Sequence, residues 1–201
     1  HMGLICIPSG NHDMDRLARH IKGDNLKLAF AFLLSMPGAP FIYYGDEIGM
    51  NYVENLVSVE GGYGRTGSRS PMQWDSSTNA GFSSAPAEKL YIPLDPSPKR
   101  PTVHAQQQNK KSLYHEIQKL IKIRQEHDAL QSRGEIEFIY AKKNEYPLAY
   151  VRSCTGKNQS GEKILVIINP SEKEVSFPCD LKKLGGASGD STDLLKNAIY
   201  T

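Results

Sequence analysis

Asn11, His12 and Asp13 follow a short apolar run, Leu4-Ile5-Cys6-Ile7, and a Pro8-Ser9-Gly10 turn, with Arg16 three residues beyond the aspartate. A carboxylate and an imidazole just past the end of a buried strand are placed to meet a polar ligand in a cavity. Taken alone, the pair reads more readily as a cap, with Asp13 or Asp15 opening a helix and His12 solvated, because such dipeptides are common and need structural context. Two further segments supply context: Pro40-Phe41-Ile42-Tyr43-Tyr44-Gly45-Asp46-Glu47-Ile48-Gly49-Met50 and Ser68-Arg69-Ser70-Pro71-Met72-Gln73-Trp74-Asp75.

The elements that must carry these residues can be read from pattern. Leu4 to Ile7 and Phe41 to Tyr44 are continuous apolar runs with β-branched or aromatic residues, as expected of strands buried on both faces. Between them, Asp24 or Asn25 can cap a helix through Leu28, Ala29, Phe32, Leu33 and Met36, ended by Pro37-Gly38. Apolar residues surround that helix, so it is expected to lie between layers. Strand, helix and strand in this order form a βαβ unit. From Asn51 to Lys111 no long element has a convincing period, and an irregular stretch of that length usually builds a site or moves. Ser112 can cap the next helix, whose Leu113, Ile117, Leu120 and Ile121 make one apolar stripe. From about Gly134 the pattern becomes alternating strands: Ile136 to Tyr140, Leu148 to Arg152, Ile164 to Asn169 and Val175 to Phe177, with turn clusters at Asn144-Glu145, Thr155 to Asn158 and Asn169 to Ser171. No final apolar strand is evident before Thr201. The boundary between the two grammars falls near Ser132-Arg133-Gly134, giving expected domains of 1–132 and 133–201.

In this order, the three segments resemble the second half of an α-amylase-family glycoside hydrolase, nearest the α-glucosidase and oligo-1,6-glucosidase branch. The resemblance implies the last two βα units of a (β/α)8 TIM barrel, followed by an antiparallel β-sandwich-like domain. It also implies a retaining enzyme acting on α-glucosidic bonds of starch-derived, malto- or isomalto-oligosaccharides. Such enzymes use one carboxylate as nucleophile and another as acid/base. In the family both come from earlier barrel strands, which this sequence does not contain. Asp13 matches the family's third carboxylate, which holds sugar hydroxyls at the cleavage point and favours the distorted ring. His12 would donate to the same sugar, with Asn11 beside it, and Arg16 would orient the aspartate or reach a neighbouring hydroxyl. Arg69 is similar to an arginine that closes the pocket of exo-acting members, where its own carboxylate partner lies in the absent part. Its bland reading is a loop-anchoring ion pair.

Aromatic faces pack against the apolar faces of pyranose rings, so Tyr43, Tyr44 and Trp74 are candidate platforms. Core packing is the stronger expectation for Tyr43 and Trp74. Asp46 and Glu47 are adjacent on one strand end and point opposite ways, which suits supporting groups rather than a catalytic pair. The remaining histidines, His20, His104, His115 and His127, lack metal-ligand spacing, and no cofactor or metal is expected.

Composition narrows the partners. The 24 basic and 22 acidic side chains give a net charge of +2, with basic residues scattered or in short groups, so no nucleic-acid face is expected. The longest apolar stretch, Leu28 to Met36, is far short of the roughly 20 residues that span a bilayer, so no membrane partner is expected. Cys6, Cys154 and Cys179 are odd in number and widely spaced, which argues against a disulfide framework or zinc site and favours a reducing, cytoplasmic compartment. The expected partner is an oligosaccharide substrate, engaged in the full-length parent. The two barrel strands lack neighbours, so the isolated chain is expected to self-associate and to be inactive. The competing reading is a non-catalytic carbohydrate-binding or interaction module.

Overall fold

A computed structural model describes residues 4–154, 161–179, 191–195 and 198–200. Strand β1 (Cys6–Pro8) is followed by a short helix α1 (Leu17–His20), helix α2 (Asn25–Ser35) and strand β2 (Ala39–Phe41). Hydrogen bonds from Ala39 N to Ile5 O and from Ser9 N to Phe41 O, both 2.8 Å, advance together along the two segments, so β1 and β2 pair in parallel. Strand β2 ends at Phe41, earlier than the apolar run predicts. The Tyr43 N–H leaves the ladder to donate to Ser9 Oγ at 3.0 Å, and the two tyrosines then lie in a turn.

Helix α2 begins where expected, with the Asp24 carbonyl accepting from Lys27 and Leu28. Its covered face is one stripe, Leu26, Phe30, Leu33 and Leu34, while Phe32 is 37% exposed. The expected burial all round is therefore not met within this chain. Two arginines close the helix's carbonyl end. Arg124 donates to the carbonyls of Leu34, Met36 and Gly38, and Arg152 donates to that of Ser35. Cations at this end also face the negative pole of the helix dipole.

From 51 to 102 the chain runs through short 3-10 turns without a long element, as read from sequence. Helix α3 (Val103–Gln108) interrupts this region late, capped by Thr102 Oγ1 accepting from Ala105 N at 3.2 Å. Helix α4 (Leu113–Glu126) starts at the expected cap, where Ser112 O accepts from Glu116 N at 3.1 Å. Its buried stripe is Leu113, Ile117, Leu120 and Arg124.

Strands β3 (Glu135–Tyr140), β4 (Leu148–Ser153) and β5 (Lys163–Ile168) form an antiparallel sheet in that order. Tyr150 pairs with Phe138 on one side and Val166 on the other, and a register shift falls between Phe138 and Tyr140. Central β4 carries the core, with Ala149, Tyr150, Val151 and Arg152 all buried. The Tyr150 hydroxyl meets Ser35 Oγ at 2.6 Å, and Phe32 packs edge-on to its ring at 6.3 Å. The segment expected as a strand at Val175 to Phe177 is not in a ladder. A hairpin of β6 (Ser191–Asp193) and β7 (Ala198–Tyr200) forms where no terminal strand was foreseen. The turn expected at Thr155 to Asn158 lies outside the described residues.

Contacts group the chain into two compact units. One comprises the described residues of 1–5, Ala31–Ala39 and Lys119–Thr201, and the other comprises Cys6–Phe30 and Pro40–Gln118. Within the second, Ile48, Met50 and Met72 form an apolar cluster joined by Val103 and Tyr114. The segments read as chemistry-bearing all lie in this second unit. Among the described residues no helix is long and apolar enough to cross a membrane, and the three cysteines are unpaired.

Candidate active site

Ser9, just past β1, organises the turn around it. Its hydroxyl accepts from Tyr43 N and donates to Asp46 Oδ2 at 2.7 Å, tying the first segment to the second. Asp46 also receives Arg16 Nη1 at 3.0 Å, and the same nitrogen donates to Tyr44 O at 2.6 Å. Both side chains of this ion pair are essentially inaccessible, at 0% and 1% exposure. The Arg16 guanidinium lies 4.9 Å from the Tyr43 ring centre and 4.8 Å from that of Tyr44, so aromatic faces replace much of its lost hydration. Burial pushes the Asp46 carboxyl up, against the opposing pull of Ser9 and Arg16. Gly45 has φ +82°, and an added Cβ would sit 2.2 Å from Met50 Sδ, so the turn requires glycine.

Beyond this buried anchor, Asn11 shapes the loop, its Oδ1 accepting from Asp13 N at 2.7 Å. His12 Nε2 lies 3.3 Å from Asp13 Oδ2. The other carboxylate oxygen, Oδ1, takes two guanidiniums, Arg69 Nη2 at 2.9 Å and Arg65 Nη1 at 3.1 Å. Arg69 Nε also donates to His12 O at 2.8 Å, so one arginine grips both the side chain and the backbone of the His-Asp pair. Asp13 keeps 46% of its side-chain surface and His12 68%, so both are reachable from solvent.

The tyrosines fasten the third segment to the second. Tyr44 donates its hydroxyl to Ser70 O at 2.8 Å, and Tyr43 donates to Ser68 O at 3.3 Å. Burial pushes the Tyr43 phenol well above its usual range. Tyr44 and Arg69 line an open pocket of about 450 Å³, whose wall includes Glu47 and Trp74. A second, of about 440 Å³, is lined by His12, Asn11 and the strand ends.

The structure thus brings together Asn11, His12, Asp13 and Arg69, with Tyr44 alongside. Arg16 points elsewhere, fully buried against Asp46 and Tyr44 O rather than toward Asp13. The capping reading of the His-Asp pair is not met at α1, whose cap residue is Arg16 and has no side-chain cap bond. Asp15 instead pairs with Arg19 and His20. Asp46 and Glu47 separate as expected, one into the buried ion pair and the other onto the pocket wall. Trp74, expected in the core, is 49% exposed. Sequence reasoning passed over Arg65, for which the available signal was a second cation four residues before Arg69. No group of three or more His, Cys, Asp or Glu able to hold a metal ion occurs among the described residues.

Residues 4–133 match the α-amylase catalytic domain family. A trehalose synthase/amylase TreS of Mycobacterium tuberculosis is 35% identical over 174 residues, covering 84% of this chain and 27% of that protein. An oligo-1,6-glucosidase of Parageobacillus thermoglucosidasius is 31% identical over 201 residues, covering 83% and 34%. Among solved structures, a trehalulose synthase MutB mutant in complex with its substrate sucrose superposes with a TM-score of 0.70 at 28% identity, covering 84% of this chain and 35% of that one. The chain therefore spans between a quarter and about a third of the length of these relatives.

Proposed function

This chain belongs to the α-amylase catalytic-domain family, and from that premise we propose that it furnishes the sugar-holding side of a retaining site acting on α-glucosidic bonds of malto- or isomalto-oligosaccharides. In this reading Asp13 accepts hydrogen bonds from hydroxyls of the sugar at the cleavage point, and these bonds strengthen as the ring flattens toward the oxocarbenium-like transition state. His12 donates to the same ring. Arg69, with Arg65, fixes the carboxylate's direction through Oδ1. Arg16 acts at one remove, holding the Tyr44 to Asp46 turn in place. In this reading the nucleophile and the acid/base are carboxylates other than Asp13.

The observation that carries the reading is the convergence of two segments 56 residues apart on one carboxylate, Arg69 on Asp13, with the same arginine bound to the His12 carbonyl. A structural cap needs no such partner. The alternative, a non-catalytic carbohydrate-binding module, draws on the same exposed groups and on the open aromatic wall at Trp74.

Two measurements on the chain test this. Incubation with maltose, isomaltose or p-nitrophenyl α-glucoside gives rates at the buffer blank, since cooperating catalytic groups leave little behind without their partners. Calorimetric titration with maltose shows weak binding that Asp13→Ala removes. Turnover that disappears on Asp13→Asn would place the bond-cleaving groups within this chain. Binding unaffected by Asp13→Ala would remove the sugar from Asp13 altogether.

A further inference from the structure

The turn beneath the Asp13 loop holds two adjacent carboxyls, Asp46 and Glu47, beside one guanidinium. Arg16, at 0% exposure, spends its Nη1 on Asp46 Oδ1 at 3.0 Å and on the Tyr44 carbonyl at 2.6 Å. Glu47 Oε2 is buried without a hydrogen-bond partner, and so are Arg16 Nε and Nη2. One acceptor and two donors of opposite charge type thus lie unmatched in the same buried cluster, which is costly while it lasts. A second negative charge on this turn is opposed by burial and by the neighbouring Asp46 carboxylate. Burial is the larger influence and pushes the Glu47 carboxyl up, against the N–H groups of Glu47 and Gly45 and the smaller pull of Arg16. Across the pocket that it lines, Glu47 meets Arg69, Tyr44 and Tyr91.

The turn carries more than its own charges. Ile48 N and Met50 N both donate to Gly45 O, at 3.2 and 2.9 Å, tying the turn into one piece. Tyr44 reaches out of it to donate to Ser70 O at 2.8 Å. The next residue back, Arg69, grips Asp13 Oδ1 at 2.9 Å and His12 O at 2.8 Å. Arg16 therefore holds, through the Tyr44 carbonyl, the residue whose hydroxyl steadies the Arg69 segment.

We propose that Arg16, Asp46 and Glu47 form a proton-operated latch on the Asp13 site. With the proton on Glu47, Arg16 serves Asp46 and the Tyr44 carbonyl, and the Arg69 segment is held. When Glu47 gives that proton to solvent, a second carboxylate competes for the guanidinium, and the unmatched Arg16 Nε and Nη2 turn to it. The Tyr44 carbonyl is then released and the grip of Arg69 on Asp13 loosens. A change of one charge at a buried cluster with two ways of pairing is the general form of a protonation switch. The latch acts whatever ligand Asp13 takes.

A carboxyl pushed above its unfolded value of 4.5 contributes stability that is present below pH 4.5 and lost as pH rises through the folded value. Glu47→Gln keeps the shape and the neutral state, so its Tm lies closest to the parent's at about pH 4 and exceeds it by a growing margin up to about pH 9. Trp74, the single tryptophan, shares the pocket wall with Tyr44, Glu47 and Arg69, so its emission in the parent shifts over the same range. That shift is lost in Glu47→Gln. Asp75 and His104, which adjoin Trp74 through the chain and through the bond from His104 N to Trp74 O, are present in both proteins and cancel in the comparison. Carbon-13 NMR of the Glu47 carboxyl, assigned by its loss in Glu47→Gln, reads the proton in the parent itself, with a midpoint expected above 4.5. Identical emission profiles in the two proteins overturn the latch, as does a Glu47 midpoint at or below 4.5. A Tm margin that grows with pH while Trp74 emission stays constant overturns it too, since the proton is then held without moving the pocket wall.

Discussion

Removing the Asp46 carboxylate tests whether the site is built on the buried anchor beneath it. Asp46→Ala leaves the Arg16 guanidinium at 0% exposure without its counter-charge, and Arg16 Nε and Nη2 already have no partner. Breaking a buried ion pair by deleting one member costs about 3–5 kcal/mol, because an uncompensated charge remains in a low-dielectric setting. A bond-by-bond estimate agrees: the bonds from Arg16 at 3.0 Å and Ser9 at 2.7 Å both end on a charged group, at about 1.5–3 kcal/mol each. The assay is urea unfolding followed by Trp74 emission, since Trp74 lies in the same compact unit as Arg16 and Asp46. With a denaturant slope near 2 kcal/mol/M, a loss of about 4 kcal/mol moves the midpoint down by about 2 M. The double variant Arg16→Met with Asp46→Leu should stay within about 1 kcal/mol of the parent, because replacing both charges by apolar groups removes the desolvation cost along with the attraction. An Asp46→Ala midpoint within about 0.5 M of the parent, on the same slope, would refute the reasoning. A double variant as unstable as the single one would refute it equally.

Arg152→Ala removes donors from the carbonyls of Ser35, Gln131, Gly134 and Glu135, and should lower stability in chemical denaturation by about 1–3 kcal/mol for each carbonyl left buried and unsatisfied. Burial and nearby Arg124 press the Arg152 pKa down to about 10, which leaves it cationic at neutral pH, so Arg152→Lys should fall between parent and Ala. The Asp75 carboxyl is held below its ordinary 3.8 by hydrogen bonds from the Ser77 hydroxyl and N–H, so its contribution is present above pH 3.8 and lost as pH falls through the lower folded value. The difference in Tm between parent and Asp75→Asn should therefore shrink as melts are taken from pH 6 to pH 2, approximately centred on the acid end of that range, and a constant gap would exclude the linkage. Leu4, Ile5 and Phe41 are 48%, 72% and 56% exposed beside the β1–β2 pair, so light scattering should find species larger than the 22.3 kDa chain, reduced by Ile5→Lys. A monomer at every concentration would exclude this edge as an associating surface.

The parts legible in the sequence were those written in local pattern. Helix α4 announced itself through Ser112 and a stripe of Leu113, Ile117 and Leu120, and strands β3 to β5 through alternation. The His12-Asp13 loop follows β1 as its place in the chain implied, but the Arg69 to Asp13 pair was not foreseen, since the arginine's carboxylate partner was expected outside this sequence. What failed were features decided by contacts distant in sequence. Strand β2 stops at Phe41 because a serine 34 positions away captures the Tyr43 N–H. Arg16 turns inward because Asp46, 30 positions on, gives it a partner, and no local rule separates that arginine from one facing a ligand. Arg124 and Arg152 had no role in the sequence reading, and both are buried on the carbonyl end of α2. Trp74 was expected inside because tryptophan usually is, whereas the loop closed by Ala80 leaves half of it outside.

The bonds joining the three segments have a common character that explains how their geometry can persist in so short a chain. Tyr43 and Tyr44 end on the carbonyls of Ser68 and Ser70, Arg69 ends on that of His12, and Arg16 on that of Tyr44. Each uses a long side chain to hold the backbone of another segment, so position is fixed by main-chain atoms, which stay in place whatever side chain the neighbouring residue bears. Only Asp46 and Asp13 are gripped through their own carboxylates, and they differ in burial: one is sealed beneath the turn and the other is open above it. The sealed carboxylate spends its charge on Arg16 and on the fold. The open one has its direction set by Arg65 and Arg69 on Oδ1 and keeps accessible surface, which is the condition for a carboxylate that must accept hydrogen bonds from something outside the chain.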